Sequence, residues 1–244
     1  PHVLSRRQRQ MCIRDRIGSF NSLANKYRMV VMTDLFDTSE ETPVQNDVLR
    51  PLADRLRPQS LAEVIGQRQI LGADRSLSNM LASKTLGSII FWGPPGVGKT
   101  TVARLLALEV NLHFIQISAI FSGVTELRQV FESAKIRCQN GQKTLLFVDE
   151  IHRFNKAQQD SFLPFMENGT IILVGATTEN PSFELNAALL SRSQVLVLER
   201  LSIKELEELA QRAEAQAKAS LPLETAARMD LLEMADGDGR RLLN

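Results

Sequence analysis

The sequence predicts an α/β domain built on a five-stranded parallel sheet, followed by a small all-helical element. Three observations predict it. Short apolar runs recur at 88–92, 113–117, 143–148, 171–176 and 195–198, separated by amphipathic stretches. These runs are apolar at successive positions, the pattern of strands covered on both faces. From Ser202 onward the strand-like runs stop and only helical periodicity remains.

Residues 1–50 form an expected disordered leader. Residues 1–31 hold seven basic residues against one acidic, so the remainder is net acidic although the whole chain is +1. No helical or strand period runs through 1–31, and Met11–Arg16 reads like translated adapter sequence. Met32 is then the expected start of the working protein. With that arm set aside, global charge gives no support for nucleic-acid binding, and any such surface must be local. Residues 32–50 are polar and carry one small apolar pair, Leu35-Phe36. The two cysteines, Cys12 and Cys138, lack metal-type spacing and suit a reducing, cytoplasmic setting. No apolar run approaches membrane-spanning length, so no membrane partner is expected.

The α/β domain is expected over 51–201. Pro51 and Pro58 break the chain, and Ser60 with Glu63 has the spacing of a capping box opening a short helix. Residues 67–83 form an expected amphipathic helical region with Ile70, Leu71, Leu77, Met80 and Leu81 on its apolar side. It would cover the sheet or wall an adenine pocket, to which Ile65 also contributes. The run 88–92 leads into Gly93-Pro94-Pro95-Gly96-Val97-Gly98-Lys99-Thr100 and then a helix over 99–110. This is strand, glycine loop, helix, and it matches G-x-x-x-x-G-K-[ST]. Gly96 and Gly98 lack a Cβ, so the backbone can approach an anion and turn its N–H groups toward it. The helix N-terminus beyond adds unpaired donors, with Thr101 in its first turn. Lys99 would reach the β- and γ-phosphates, and the Thr100 hydroxyl would hold Mg²⁺.

Further helices are expected at 125–138, in part of 155–167, and at 186–191. The strand at 143–148 delivers Asp149 and Glu150 at its carboxyl end, where open α/β sheets bind ligands. Asp149 would bind the Mg²⁺ shell, and Glu150 would orient and polarise an attacking water. A base-reading Asn/Thr-Lys-x-Asp is not found; the nearest string, Asn155-Lys156-Ala157-Gln158, lacks the aspartate. A kinase would need a different glycine loop. ATP is therefore the expected nucleotide. The helical element over 202–244 holds a helix at 202–219 with a second capping box at Ser202 and Glu205, one at 224–235 after Pro222, and a third beginning near Gly239.

The strings Asp149–Asp160 (DEIHRFNKAQQD), Gly175–Asn186 (GATTENPSFELN) and Leu189–Arg192 resemble AAA+ ATPases of the RarA/MgsA family. These are replication-associated recombination proteins of the clamp-loader clade. The likeness runs from about residue 50 to the end. It implies a P-loop AAA+ sheet with flanking helices and a helical lid. Thr178 or Asn180 would be the first sensor, placing the water from the end of the fourth strand, or else an ordinary loop cap. Arg192 would be an arginine finger reaching the phosphate of a neighbouring subunit. Arg240, or alternatively Arg241, would be the second sensor, contacting nucleotide from the lid of its own chain. Arginine suits both roles because its planar fork stays charged and pairs with phosphate oxygens. Where the family has a histidine near Phe165, this chain reads Pro164-Phe165-Met166. The family's C-terminal oligomerisation region follows the lid, so the lid is expected to be truncated here.

The resemblance implies a DNA-dependent ATPase at stalled replication forks. Its implied partners are fork or junction DNA, further copies of the chain, and a single-strand-binding protein or sliding clamp. A clamp-loader-type adaptor gated by ATP and a Holliday-junction branch-migration motor are the alternatives. Arg128, Arg137, Lys143, Arg153 and Lys156 are candidate DNA-phosphate contacts or, equally, a solvated face.

Overall fold

The computed structural model describes residues 51–72, 75–83 and 85–244. The leader at 1–50, with its basic arm and its Leu-Phe pair, lies outside the described residues.

Five strands form one parallel sheet: β1 (Ser88–Trp92), β2 (His113–Ser118), β3 (Thr144–Asp149), β4 (Ile171–Thr177) and β5 (Ser193–Val197). Their order is β2-β3-β4-β1-β5. The carboxyl ends of β3, β4 and β1 therefore stand side by side at the middle of one sheet edge. Within β1 the apolar run resolves by pleat. Ile89 and Phe91 face one layer, joined by Leu145, Phe147, Val174 and Ala176 of the neighbouring strands. Ile90 faces the other layer, with Leu146, Val148 and Leu173. The first layer is covered by α4 (Lys99–Glu109) through Val102, Ala103 and Leu106, and by Ile70 of α2 (Arg68–Leu71) and Leu77 of α3 (Ser76–Ala82). The second is covered by Leu127, Phe131 and Ala134 of α5 (Val124–Gln139) and by Phe154, Phe162 and Leu189.

Several elements differ from expectation. The helical region at 67–83 is two helices, interrupted at Gly72, whose carbonyl accepts from Ser78 Oγ at 2.8 Å. The first capping box does not form. Leu61–Glu63 is a 3-10 turn, and Ser60 donates its hydroxyl to Glu63 at 3.2 Å instead of accepting from the turn. So short a turn leaves the glutamate free to collect the Gln59 N–H as well, at 3.0 Å. The 155–167 region is two short helices, α6 (Lys156–Asp160) and α7 (Leu163–Glu167), the first closed by a capping box between Asn155 and Gln158. The 186–191 helix is Ala187–Leu190, and Pro181–Glu184 forms another turn before it; these are α9 and α8. Finally, β5 is an edge strand, and Val195 and Val197 are 38% and 45% exposed. Its apolar run is covered on one face only. In chain order α1 is Leu52–Arg55.

The helical element expected as a lid, called the lid below, comprises α10 (Ile203–Ala217), α11 (Thr225–Ala235) and α12 (Gly239–Leu243) around Leu201, Leu206, Leu232 and Ala235. The second capping box is present, with Ser202 N donating to Glu205 at 2.7 Å. Arg228 of α11 binds two carboxylates of α10, Glu207 and Glu214, each through two hydrogen bonds of 2.9 to 3.1 Å. These bonds, with the Leu221 N–H second, pull the Glu214 carboxyl down from the ordinary 4.5 to about 2. Glu207 is lowered too, first by Arg228 and then by Gln211. A depressed carboxylate stabilises the fold above its unfolded pKa, and that contribution drains away as pH falls through the folded value. The window is therefore about pH 4.5 down to about pH 2. Arg228→Met should shrink the drop in urea midpoint measured between about pH 5 and about pH 3.

Candidate nucleotide site

The loop leaving β1 does what its glycines permit. Gly96 and Gly98 adopt φ of +69° and +95°, and Gly98 caps α4. At Gly98 a Cβ would meet open space, so the backbone angle alone explains glycine there. At Gly96 a Cβ would collide with the Asp238 carboxylate of the lid. The lid also donates the Gly239 N–H to the Gly96 carbonyl at 3.2 Å. Lys99 is 8% exposed and folds back over the loop, donating to the Gly93 and Pro94 carbonyls, both at 2.7 Å. Burial pushes its pKa down, opposed by the nearby charges of Glu150, Asp149 and Asp238 and assisted by Arg240.

A cleft of about 220 Å³ opens beside this loop. Pro95, Gly96, Val97, Gly98, Lys99, Thr100 and Thr101 line its floor, and Asp149 and Glu150 one side. Leu56, Val64 and Ile65 add apolar lining, and Leu209 and Arg240 of the lid complete it. Arg212 of α10 donates to the Glu63 carbonyl at 2.8 Å, joining the lid to the segment that carries Ile65. The cleft thus combines apolar walls, convergent donors and two acids. Such a set fits a nucleoside triphosphate with a divalent cation.

Of the remaining expected residues, only Arg240 lines the cleft. Asn180 spends its side chain on capping α8, accepting from Ser182 N at 3.0 Å. Neither Asn180 nor Thr178 is among the residues lining the cleft. Arg192 sits just before β5, whose first residue pairs with Ser88 at the start of β1. It is therefore at the opposite end of the sheet from the phosphate loop, separated by the length of β1, about 16 Å. It pairs with Glu167 at 2.6 Å and donates to the Ala188 carbonyl at 3.0 Å, beside a second cavity that Lys143 also lines. Arg240 lines the cleft and Arg241 does not. Of the candidate DNA contacts, Lys156 donates to the Glu184 carbonyl at 3.3 Å and Arg137 to Ser133 at 3.1 Å.

Four residues at the site carried no role in the sequence reading. Asp238 caps α12 by accepting from Arg240 N and Arg241 N at 2.8 and 2.9 Å, and its carboxylate meets Gly96. Gln67, 4% exposed, pairs its amide with Glu199 in both directions, at 2.8 and 3.1 Å, and so fixes the start of the domain to the chain entering the lid. His152 places Nδ1 3.3 Å from Glu150 Oε2 and 3.0 Å from the Thr177 hydroxyl. Thr177 is fully buried at the end of β4. Only His152 offered a signal: a histidine two residues after the second acid, on a turn that must lie beside it.

The family model described as ATPase family associated with various cellular activities (AAA) matches residues 89–201. Replication-associated recombination protein A of Escherichia coli strain K12 is 47% identical over 204 residues, covering 82% of this chain and 46% of that protein. The chain belongs to the AAA ATPase family, in its replication-associated recombination protein A branch. The protein of that name from Haemophilus influenzae is also 47% identical, over 199 residues, covering 80% of this chain and 45% of the relative. This chain thus spans a little under half the length of these curated relatives. Among solved structures, the Thermotoga maritima RuvB Holliday junction branch migration motor superposes with a TM-score of 0.62 at 29% identity. That match covers 77% of this chain and 63% of RuvB. The AAA match ends at Leu201, where the lid's own apolar cluster begins. In this AAA domain, Gly96→Ala should force the loop off its positive φ and drive a methyl into the lid carboxylate. Titration with a fluorescent ATP analogue is expected to show affinity at least about tenfold weaker, with a lower melting temperature.

Proposed function

We propose that this chain hydrolyses ATP at the cleft between the phosphate loop, the tip of β3 and the lid, as the ATPase module of a protein acting on DNA in replication and recombination. The convergence of Lys99, Thr100, Asp149 and Glu150 on one cleft carries the reading. The backbone N–H groups of Gly96 to Thr100 would cradle the phosphates, and α4 directs its N-terminus at them. Lys99 would exchange two carbonyl partners for the β- and γ-phosphate oxygens. Thr100 and Asp149 are the two side chains that would hold Mg²⁺. Two protein oxygens suffice because Mg²⁺ keeps several of its waters. When bound, Mg²⁺ neutralises charge on the transferred phosphoryl group. Glu150 would take the proton of the attacking water. Ile65, Val64 and Leu56 would hold the adenine, and Arg240 would reach the triphosphate from the lid.

Arg192 is the proposed arginine finger, acting on a neighbouring copy. Its place at the opposite end of the strands supports action in trans, since it cannot reach its own phosphate loop. Fork or junction DNA is the proposed substrate structure, on the strength of the replication-associated relatives. The RuvB likeness supports a second reading as a branch-migration motor. The higher identity to the recombination proteins favours the first.

Two measurements test this reading. Glu150→Gln should lower ATP turnover by about 100-fold or more while ATP still binds. Lys99→Ala should weaken ATP binding by about tenfold or more. Unchanged turnover and binding in both would overturn the reading. Specific activity of the parent should rise with protein concentration, and Arg192→Ala should lower the plateau by about 1,000-fold. A flat profile that Arg192→Ala does not alter would remove the trans finger.

A further inference from the structure

We propose that His152 is a positioning residue that fixes the Glu150 carboxylate, through a chain of polar contacts running from the tip of β4 along Thr177 and His152 to Glu150. This deepens the ATPase reading and rests on it.

Donor counting assigns the bonds. The Thr177 hydroxyl has one proton and two lone pairs. Glu179 N–H donates to it at 3.0 Å. Its contact with the Glu179 carbonyl, at 3.2 Å, consumes the proton, because a carbonyl only accepts. With the hydroxyl proton on the Glu179 carbonyl, the remaining lone pair meets His152 Nδ1 at 3.0 Å, and we assign the ring hydrogen to Nδ1. The same nitrogen lies 3.3 Å from Glu150 Oε2, an electrostatic contact with the carboxylate. The Nδ1–H form of the ring suits both neighbours. The His152 side chain is 8% exposed and the Glu150 side chain 27%, so solvent competes weakly for the inner partner.

The backbone locks the same geometry. Glu150 sits at φ +52°, a strained position that hands the chain to the 3-10 turn Ile151–Arg153. That turn seats on β4 at Gly175, where a Cβ would come within 2.9 Å of Ile151. Thr177 also accepts the Gly93 N–H through its carbonyl, at 3.1 Å. One residue thus touches the first residue of the phosphate loop through its backbone and the holder of Glu150 through its side chain. With Oε2 held beside His152, Oε1 is the oxygen placed to accept the proton of water. Movement of β4 relative to the phosphate loop would be felt at the carboxylate.

The test compares four substitutions in the chain. An asparagine amide nitrogen can occupy the place of Nδ1, whereas a glutamine carries its amide one bond further out. His152→Ala should lower kcat for ATP by about 10- to 100-fold with KM within about twofold. His152→Asn should regain most of that loss and His152→Gln little of it. Thr177→Val should give an intermediate loss of kcat. Long-range ¹H–¹⁵N spectra should show the neutral His152 ring protonated at Nδ1. The chain has three histidines, so the signal is assignable by substitution. Parent-like kcat in His152→Ala would overturn the inference. So would a ring protonated at Nε2, or a joint loss of kcat and ATP affinity that asparagine does not recover. A parent with the Nδ1–H ring but no ATP turnover would instead sink the ATPase reading.

Discussion

Gly93 donates its backbone N–H to the Thr177 carbonyl at 3.1 Å, one step beyond the last paired residues of β1 and β4. That bond marks where β1 stops being sheet and becomes phosphate loop. It also ties the loop's first residue to the tip of the neighbouring strand. Everything chemical at the site is measured from this junction. Lys99 returns to the Gly93 carbonyl, and Thr177 reaches through His152 to Glu150. Because β4 lies between β1 and β3, the loop and the acids of β3 flank its tip. A parallel sheet with a different strand order would hold the same residues without bringing them together.

The lid is bound to this junction by short-range polar contacts. Gly239 N–H meets the Gly96 carbonyl, and Asp238 places a carboxylate where a side chain on Gly96 would stand. That carboxylate has a double role. It satisfies two unpaired N–H groups at the start of α12, and it sets a negative charge beside Lys99. Gln67 and Arg212 hold the opposite wall of the cleft to the chain entering the lid and to the lid itself. The segment carrying Ile65 and the lid are consequently hydrogen-bonded to each other beside the cleft.

Local patterns were legible where local physics decides. The Ser202/Glu205 capping box, the glycine loop and the acids at the end of β3 all appear at their expected positions, since each depends on residues within a few steps of one another. The Ser60/Glu63 pair has the same spacing and does not cap, because its turn is too short to offer the donors a helix would. Asn180 was expected as a sensor or a cap; it caps α8. The apolar run at 195–198 read as a covered strand, yet Val195 and Val197 stand exposed because strand order puts β5 at an edge. Apolar alternation reports composition of a strand, and neighbours decide which face is covered.

From the sequence alone follow the fold class, the phosphate loop with Lys99 and Thr100, the paired acids, and the family, because each is written in contiguous residues. Tertiary structure alone decided three things. It set Arg192 at the far end of the sheet from its own loop, brought Asp238 onto Gly96, and joined Thr177 to Glu150 through His152. These relations span 25 to more than 100 positions of chain. Only the order of the parallel strands and the folding back of the lid decide which of these distant residues meet and which stand apart.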